Sequence, residues 1–544
     1  MAHQHVRGQL AAFLPWMAGL WAFALIGLMS LGVLSSARIG AMTWGNQHDI
    51  WSSAIAISQI NFGISGKLAL KEVEQAIADE VTSTKNVWSV GDQATLAITQ
   101  DPAAITRGFQ KAASLTPDQV RIPANRDDLV GDWCEDLGYA DFYNLAFRMF
   151  GFNAYSTHIL YMGILALSVL LFQLTFFRDR IATATGLLAV TALFLLSASS
   201  FFSNDTPSFA ANRFLSTLGF VPFLHLIFAA LRAHPVTRLE IGGVLLQSML
   251  LAFSLSLRSS AAWLVIAFAI FLIFLIGRRI LRHDCRIPST RELVANLARG
   301  PGKRPAMIAI LAFGVLAAAS LVRYAQTDER YFRDDNLPHH LVWHNAFLGL
   351  GLSPEWPSVK PYPDLPDFGD GAGFLLFAHR MEERGESANS LSNEVYAKAY
   401  YRARTYERVI RDEYLAFAAA HPRYMLKLFF EIKPRVAKEI LTGLINSVPV
   451  AAIVLALVSV FLGAALLASA RYAKFGVVLG LIWLSSLLPV FWAYPATYVM
   501  SDADWATLLI LVAIPALVVA WLVQVVAAAK RSITHWTSPA RAAS

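Results

Sequence analysis

Charge is scarce in this chain. Asp, Glu, Lys and Arg make up only 15% of its 544 residues, while 56% are apolar. Soluble domains carry about 25% charged and about 45–50% apolar residues, so the deficit excludes a water-soluble globule. Cysteine is nearly missing as well. Cys134 and Cys285 lack the CxxC spacing of a metal or redox site, and the topology derived below puts them on opposite sides of a membrane, where no disulfide joins them. No soluble face combines basic residues with aromatic platforms, which leaves nucleic-acid binding without support. HExxH, GxGxxG, internal repeats and low-complexity tracts are also missing.

What is present is a series of long apolar runs. A bilayer core about 30 Å thick needs about 20 apolar residues per helix. Ten runs qualify: 11–34, 156–176, 182–200, 214–231, 238–256, 260–277, 306–324, 449–470, 474–493 and 505–528. The first is too long for the 7–15-residue apolar region of a cleavable leader and is read as retained. With the N-terminus inside and the spans alternating, the segments assigned inside carry 18 Lys and Arg, eight of them in 278–305. The three short segments assigned outside carry only Arg213 and Arg258. This is the positive-inside bias, and it accounts for much of the net charge of +7.

The expected fold is an all-α polytopic membrane protein with about ten transmembrane helices and two mainly helical extracytoplasmic segments. Its parts are an N-terminal span (1–34), a first outer loop with surface helices (35–155), spans two to seven with the basic cytoplasmic loop 278–305 (156–324), a second outer domain (325–447), and three spans with a cytoplasmic tail (448–544). The Trp-rich stretch 41–63 reads as an amphipathic piece lying on the membrane surface. In 67–81, Leu68, Val73, Ala76 and Ile77 form one apolar helical stripe. Asp101-Pro102 places an N-cap and a first-turn proline, and Thr116-Pro117 closes that helix. Residues 331–372 read as ordered loop. Helical patterning begins at Asn393 and is broken at His421-Pro422, and Pro434 is expected to kink the helix that follows.

Several residues suit chemistry at an outer membrane face. Asp49 follows the first span by about 15 residues between His48 and Trp51. A carboxylate partly desolvated at such a boundary becomes a better base. Glu135 and Asp136, near the mouth of the second span, are the rival acids. Arg213 and Arg258 break the charge bias at the outer ends of spans, at the depth of a lipid-linked phosphate, which Arg meets with bidentate hydrogen bonds; the plainer alternative is snorkelling to lipid headgroups. In the cluster His339, His340 and His344, the last two share a helical face and suit a phosphate or sugar contact, with structural use as the alternative. No metal site is assigned and no cofactor is certain, with a divalent metal left open. Asp, Glu, Lys and Arg are missing from the depth of the spans, where His225 and Gln247 are the polar exceptions, and this weighs against a coupled transporter.

Taken together, this layout resembles the GT-C superfamily of integral-membrane glycosyltransferases. One span leads to a long outer loop with an acidic residue, then short-looped spans, then a late outer domain. ADFYNLAFRMFGFNAYSTHILYMGILALSVLLF is similar to the segment entering the second span in protein-mannosyltransferase-like members, and HPRYMLKLFFEIKPR resembles a His/Asn-Pro-aromatic-Leu helix before their final spans. The resemblance implies a sugar donor carried on polyprenyl phosphate, a glycan, lipid or protein acceptor, and the outer face of a bacterial inner membrane with both termini cytoplasmic. By position it implies Asp49 as the base. Many members place Asp-Glu, or an acid followed shortly by Tyr, directly after the first span; here Ile50 and Trp51 follow Asp49, which keeps Glu135 and Asp136 in play. The alternatives are a glycan ligase or polymerase using lipid-linked oligosaccharide, and a non-catalytic component of polysaccharide assembly.

Overall fold

The structure, a computed structural model, describes residues 2–34, 47–82, 101–123, 129–131, 138–202, 214–232, 236–258, 261–281, 303–328, 342–367, 369–385, 403–468, 472–492 and 501–536. Among them, eight helices are long and apolar enough to cross a membrane. They lie in α1 (Ala2–Leu34), α6 (Ser156–Phe176), α7 (Arg180–Phe202), α9 (Arg238–Leu257), α11 (Lys303–Gln326), α17 (Val450–Leu467), the run Phe475–Trp492 that includes most of α18 (Tyr472–Ser486), and α19 (Ser501–Trp536). Two further apolar helices stand where the fourth and sixth runs were expected, at Leu215–Leu231 and Ala262–Arg278. They contain α8 (Phe220–Leu231), which a 3-10 turn precedes, and most of α10 (Ala262–Leu281). At 1.5 Å per residue, 17 residues reach only about 25 Å, so these two are shorter than the rest. The architecture is that of a multi-pass membrane protein.

α7 is the hub, packed by α1, α17 and α19. It and α8 are enclosed throughout: Ala182–Ser199 and Phe214–Ala230 are buried at every position. At one end of the bundle a buried ion cluster ties four helices together. Arg232 reaches Glu240 at 2.5 Å and the carbonyl of Thr175 at 2.8 Å, while Arg304 reaches Glu240 at 3.1 Å and the carbonyl of Ala229 at 2.6 Å. Charges that deep persist only when paired and hydrogen-bonded.

At the opposite end sit two polar bodies. The first contains α2 (Gln47–Phe62), α3 (Lys71–Val81), α4 (Pro102–Ala113), α5 (Gly138–Phe150) and a two-residue antiparallel ribbon, β1 (Leu68–Ala69) with β2 (Val130–Gly131). Asp101 caps α4 as the sequence reading expects, accepting from the backbone N–H groups of Ala103 and Ala104. α4 ends at Ala113 with Ser114 as its cap, just before the expected stop, and Thr116 starts a 3-10 turn, Pro117–Gln119, in a capping box with Gln119. The α3 stripe Val73, Ala76 and Ile77 is buried. α2 departs from expectation. It does not lie on a surface but is enclosed by α3, α4 and α5, with Ile50 and Ser52–Ser58 all buried. Its Trp51 turns its indole N–H inward to Glu74, at 3.0 Å, instead of to a headgroup layer.

The second body contains α12 (Val342–Leu348), α13 (Asp370–Glu383), α14 (Ala403–Ala420), α15 (Pro422–Lys427) and α16 (Lys433–Ser447). Its core is Phe347, Trp356, Tyr406, Ile410 and Tyr424 with their neighbours. α14 stops at His421-Pro422 as expected. Pro434 forms no simple kink: a π-turn at Leu428–Ile432, in which the Lys433 N–H bonds to the Leu428 carbonyl, carries α15 into α16 and leaves Pro434 in a first turn that needs no donor.

Candidate functional site

The joint between the bundle and the first polar body gathers Asp49 and Arg258, two of the residues that sequence reasoning weighed, together with others it did not. α9 ends at Arg258, whose backbone turns extended and whose N–H still bonds to the Ser254 carbonyl. Ala261 then closes a tight turn on the Arg258 carbonyl at 3.0 Å. The Arg258 side chain is buried, and its charge acts on Asp502 in the first turn of α19. Two neutral donors fix that carboxylate: Ser216 Oγ at 2.8 Å on one oxygen and Trp263 Nε1 at 2.6 Å on the other. Asp504, one position past Ala503, is equally buried, and its Oδ1 has no hydrogen-bond partner. The start of a helix favours both carboxylates, because unpaired N–H groups and the helix dipole place positive charge there. Next to them Trp505 stacks on Phe220 at 3.9 Å and donates to the Ala189 carbonyl at 3.1 Å. The Tyr161 and Thr217 hydroxyls pair at 2.7 Å.

Asp49 stands in the first turn of α2 with no exposed surface. Tyr139 and Tyr143, one turn apart on α5, both donate to its Oδ1, the second at 3.3 Å. Their rings meet edge to face, 5.1 Å between centroids. Burial, and next the charge of Asp49, push both phenols well above their ordinary range. They therefore stay protonated, as donors that orient the carboxylate. α5 itself is fixed by Asp141, which meets the buried Lys67 at 2.5 Å.

One contact links Asp49 to Arg258. Gly138, the neighbour of Tyr139, lies so close to Ser256 that a methyl group on it would overlap the Ser256 carbonyl. Ser256 is two residues from Arg258. The helix that holds Asp49 and the turn that bears Arg258 thus meet at a glycine-dependent contact between α5 and α9.

The other expected residues fall elsewhere. His344 is buried in the second body with Nδ1 hydrogen-bonded to the Tyr406 hydroxyl at 2.5 Å. Glu407 caps α12 by accepting from the backbone N–H groups of Trp343 and His344, at 2.8 and 3.0 Å. Glu135, Asp136, Arg213, His339 and His340 lie outside the described residues. Among the described residues no three His, Cys, Asp or Glu are grouped as a metal ion would need.

Sequence reasoning missed Asp502, Asp504, Tyr139, Tyr143 and Glu74. A usable signal existed for the first pair, two acids in SDADW at the head of an apolar run. The tyrosines had only their four-residue spacing, which names no partner ninety residues away. Burial raises the Glu74 carboxyl to about 7 despite the Trp51 hydrogen bond.

No family model matches the chain, no curated protein matches it, and no solved structure matches it.

Proposed function

We propose that the protein is a membrane glycosyltransferase that moves a sugar from a polyprenyl-phosphate donor to a glycan, lipid or protein acceptor. The reading places ten spans in a bacterial inner membrane, both termini in the cytoplasm, and the end with the two polar bodies outside. Support for the orientation comes from the basic segments, which emerge at the end opposite those bodies. The observation that carries the chemistry is the joint where Tyr139 holds Asp49 while Gly138 meets the turn bearing Arg258.

In this reading the acceptor oxygen bonds to the anomeric carbon as the bond from that carbon to the phosphate oxygen breaks. The acceptor proton passes to Asp49, and the bonding pair leaves on the lipid phosphate, whose charge Arg258 offsets. Asp502 is a positioning residue: held by Ser216 and Trp263, it fixes where the guanidinium sits. Asp49 has no exposed surface, so in this reading the acceptor reaches it only after its covering moves, and closure around the substrate then excludes water. GT-C kinship supports the donor class by resemblance.

Undecaprenyl phosphate is the probe for the donor site. Wild type should bind it, Arg258→Ala that remains folded should lose binding, and Arg258→Lys, which keeps the buried charge beside Asp502, should retain part of it; equal binding by wild type and Arg258→Ala rejects the phosphate role. With polyprenyl-phosphate sugars as donors, Asp49→Asn should cut turnover on the order of 10²–10⁴-fold, the usual share of a general base. Full turnover in that variant rejects it as the base. Transfer of an intact lipid-linked oligosaccharide would move the reading to a glycan ligase, and binding without turnover to an assembly component.

A further inference from the structure

The helix that closes the second body is tied to the bundle at two points. At its start, Lys433 Nζ donates to the Phe491 carbonyl at 2.7 Å, at the end of the span Phe475–Trp492. At its finish, only Val448 and Pro449 separate Ser447 from the span Val450–Leu467. Between these points Ala437, Ile440 and Leu441 pack with Leu487, Val490 and Ala503, again at span ends. Fifteen residues of helix make a rod about 22 Å long. A rod held at both ends to the mouths of spans lies along the boundary of the bundle and does not rise away from it.

The rod itself turns Arg435, Lys438, Glu439, Thr442 and Asn446 outward, and the large apolar exposure lies at its entry and near its finish. Phe430 is 77% exposed one turn before the Lys433 tie, Leu426 is 60% exposed about two turns before it, and Ile445 is 41% exposed near the other end. Phe430 lies within the π-turn, whose extra residue per turn changes the facing of the residues before it relative to α16. Charged neighbours are largely paired: Lys427 with Glu355 at 2.5 Å and Arg435 with Glu431 at 2.6 Å. Trp492, 44% exposed at the first tie, supplies the aromatic residue usual at a membrane–water boundary.

We propose that the segment from Leu426 to Ile445 lies in the bilayer interface, with Leu426 and Phe430 inserted among the lipids, and so anchors the second body to the membrane. The occupant of the face is lipid because both ties fix it at the level where spans end. Amphipathic helices in this position bury their apolar side at the boundary of headgroups and acyl chains. This inference is independent of the catalytic reading.

The test uses the full chain in nanodiscs of phosphatidylethanolamine and phosphatidylglycerol, with Cys134 and Cys285 replaced by serine and one spin label at 430 or at 439. Relaxation by oxygen should exceed relaxation by a water-soluble nickel chelate at 430, with the reverse at 439. Equal nickel access at the two positions would put Phe430 in water and overturn the proposal. Shielding of position 430 from both reagents would mean that protein covers it, which also overturns it. A second measurement keeps the native side chain: a lipid with a diazirine near its headgroup should label the tryptic peptide 428–435, which runs through the resistant Lys433–Pro434 bond, in the unmodified protein. No label on that peptide, with spans labelled elsewhere, would overturn the proposal.

Discussion

The first polar body shares its apolar core with the membrane helices: Ile50, Val73, Phe109 and Tyr143 belong to the same packed cluster as Leu188, Phe220 and Trp505. The second keeps a core of its own around Trp356 and Tyr406, and meets the bundle through α16, Lys433 and the contact of Trp343 with Trp492, 5.1 Å between ring centroids. Both bodies are polar, helical and mounted on one end. They differ in what moving them would disrupt. Displacing the first tears the bundle's own packing, whereas displacing the second breaks a few ties. Residues needing fixed geometry belong in the first, and Asp49 is there. A body that admits or selects a substrate suits the second.

The sharpest way to break this contrast is to remove one large core side chain from each body. Phe109→Ala and Trp356→Ala should each cost about 3–5 kcal/mol. The first should lower the melting midpoint of the whole protein. The second should expose residues 342–447 to limited proteolysis while the bundle melts as before. Whole-protein melting in both variants would erase the distinction.

Glu74 gives a pH signature confined to the first body. Its folded pKa of about 7 lies above the unfolded value near 4.5, so the folded state binds the extra proton and stability falls as pH rises from about 4.5 to about 7. The full loss is of order 3 kcal/mol. Glu74→Gln should flatten that slope in thermal melts, and an unchanged slope would place the titration elsewhere. Gly138→Ala, which drives a methyl group into the Ser256 carbonyl, should cost about 1–3 kcal/mol by overpacking and should disturb Asp49 and Arg258 together. The mildest change is Lys433→Met, which removes one tie. It should loosen the second body by about 1 kcal/mol, read as faster hydrogen exchange in α16 with none in α2.

The apolar runs were legible because lipid and helix interior ask for the same thing, a window of about 20 residues without charge. Caps at Asp101 and breaks at His421-Pro422 were legible because they depend on neighbours in sequence. Enclosure of α2 was not, since Trp51 near a span reads as a boundary anchor until Glu74 is seen beside it. Asp502 lay outside the apolar run by composition, yet packing against Ser216 and Trp263 buries it; such burial is set by residues hundreds of positions away.

α7 is enclosed from Ala182 to Ser199, yet two of the helices that pack on it, α17 and α19, begin about 250 and 300 residues after it ends. Two of its hydroxyls have partners before those helices exist: Thr185 and Thr191 donate to the carbonyls of Ile181 and Leu187 within the same helix, so they need no later partner. An orphan span of this kind can insert alone and then trade lipid neighbours for protein ones without rearranging its own bonds.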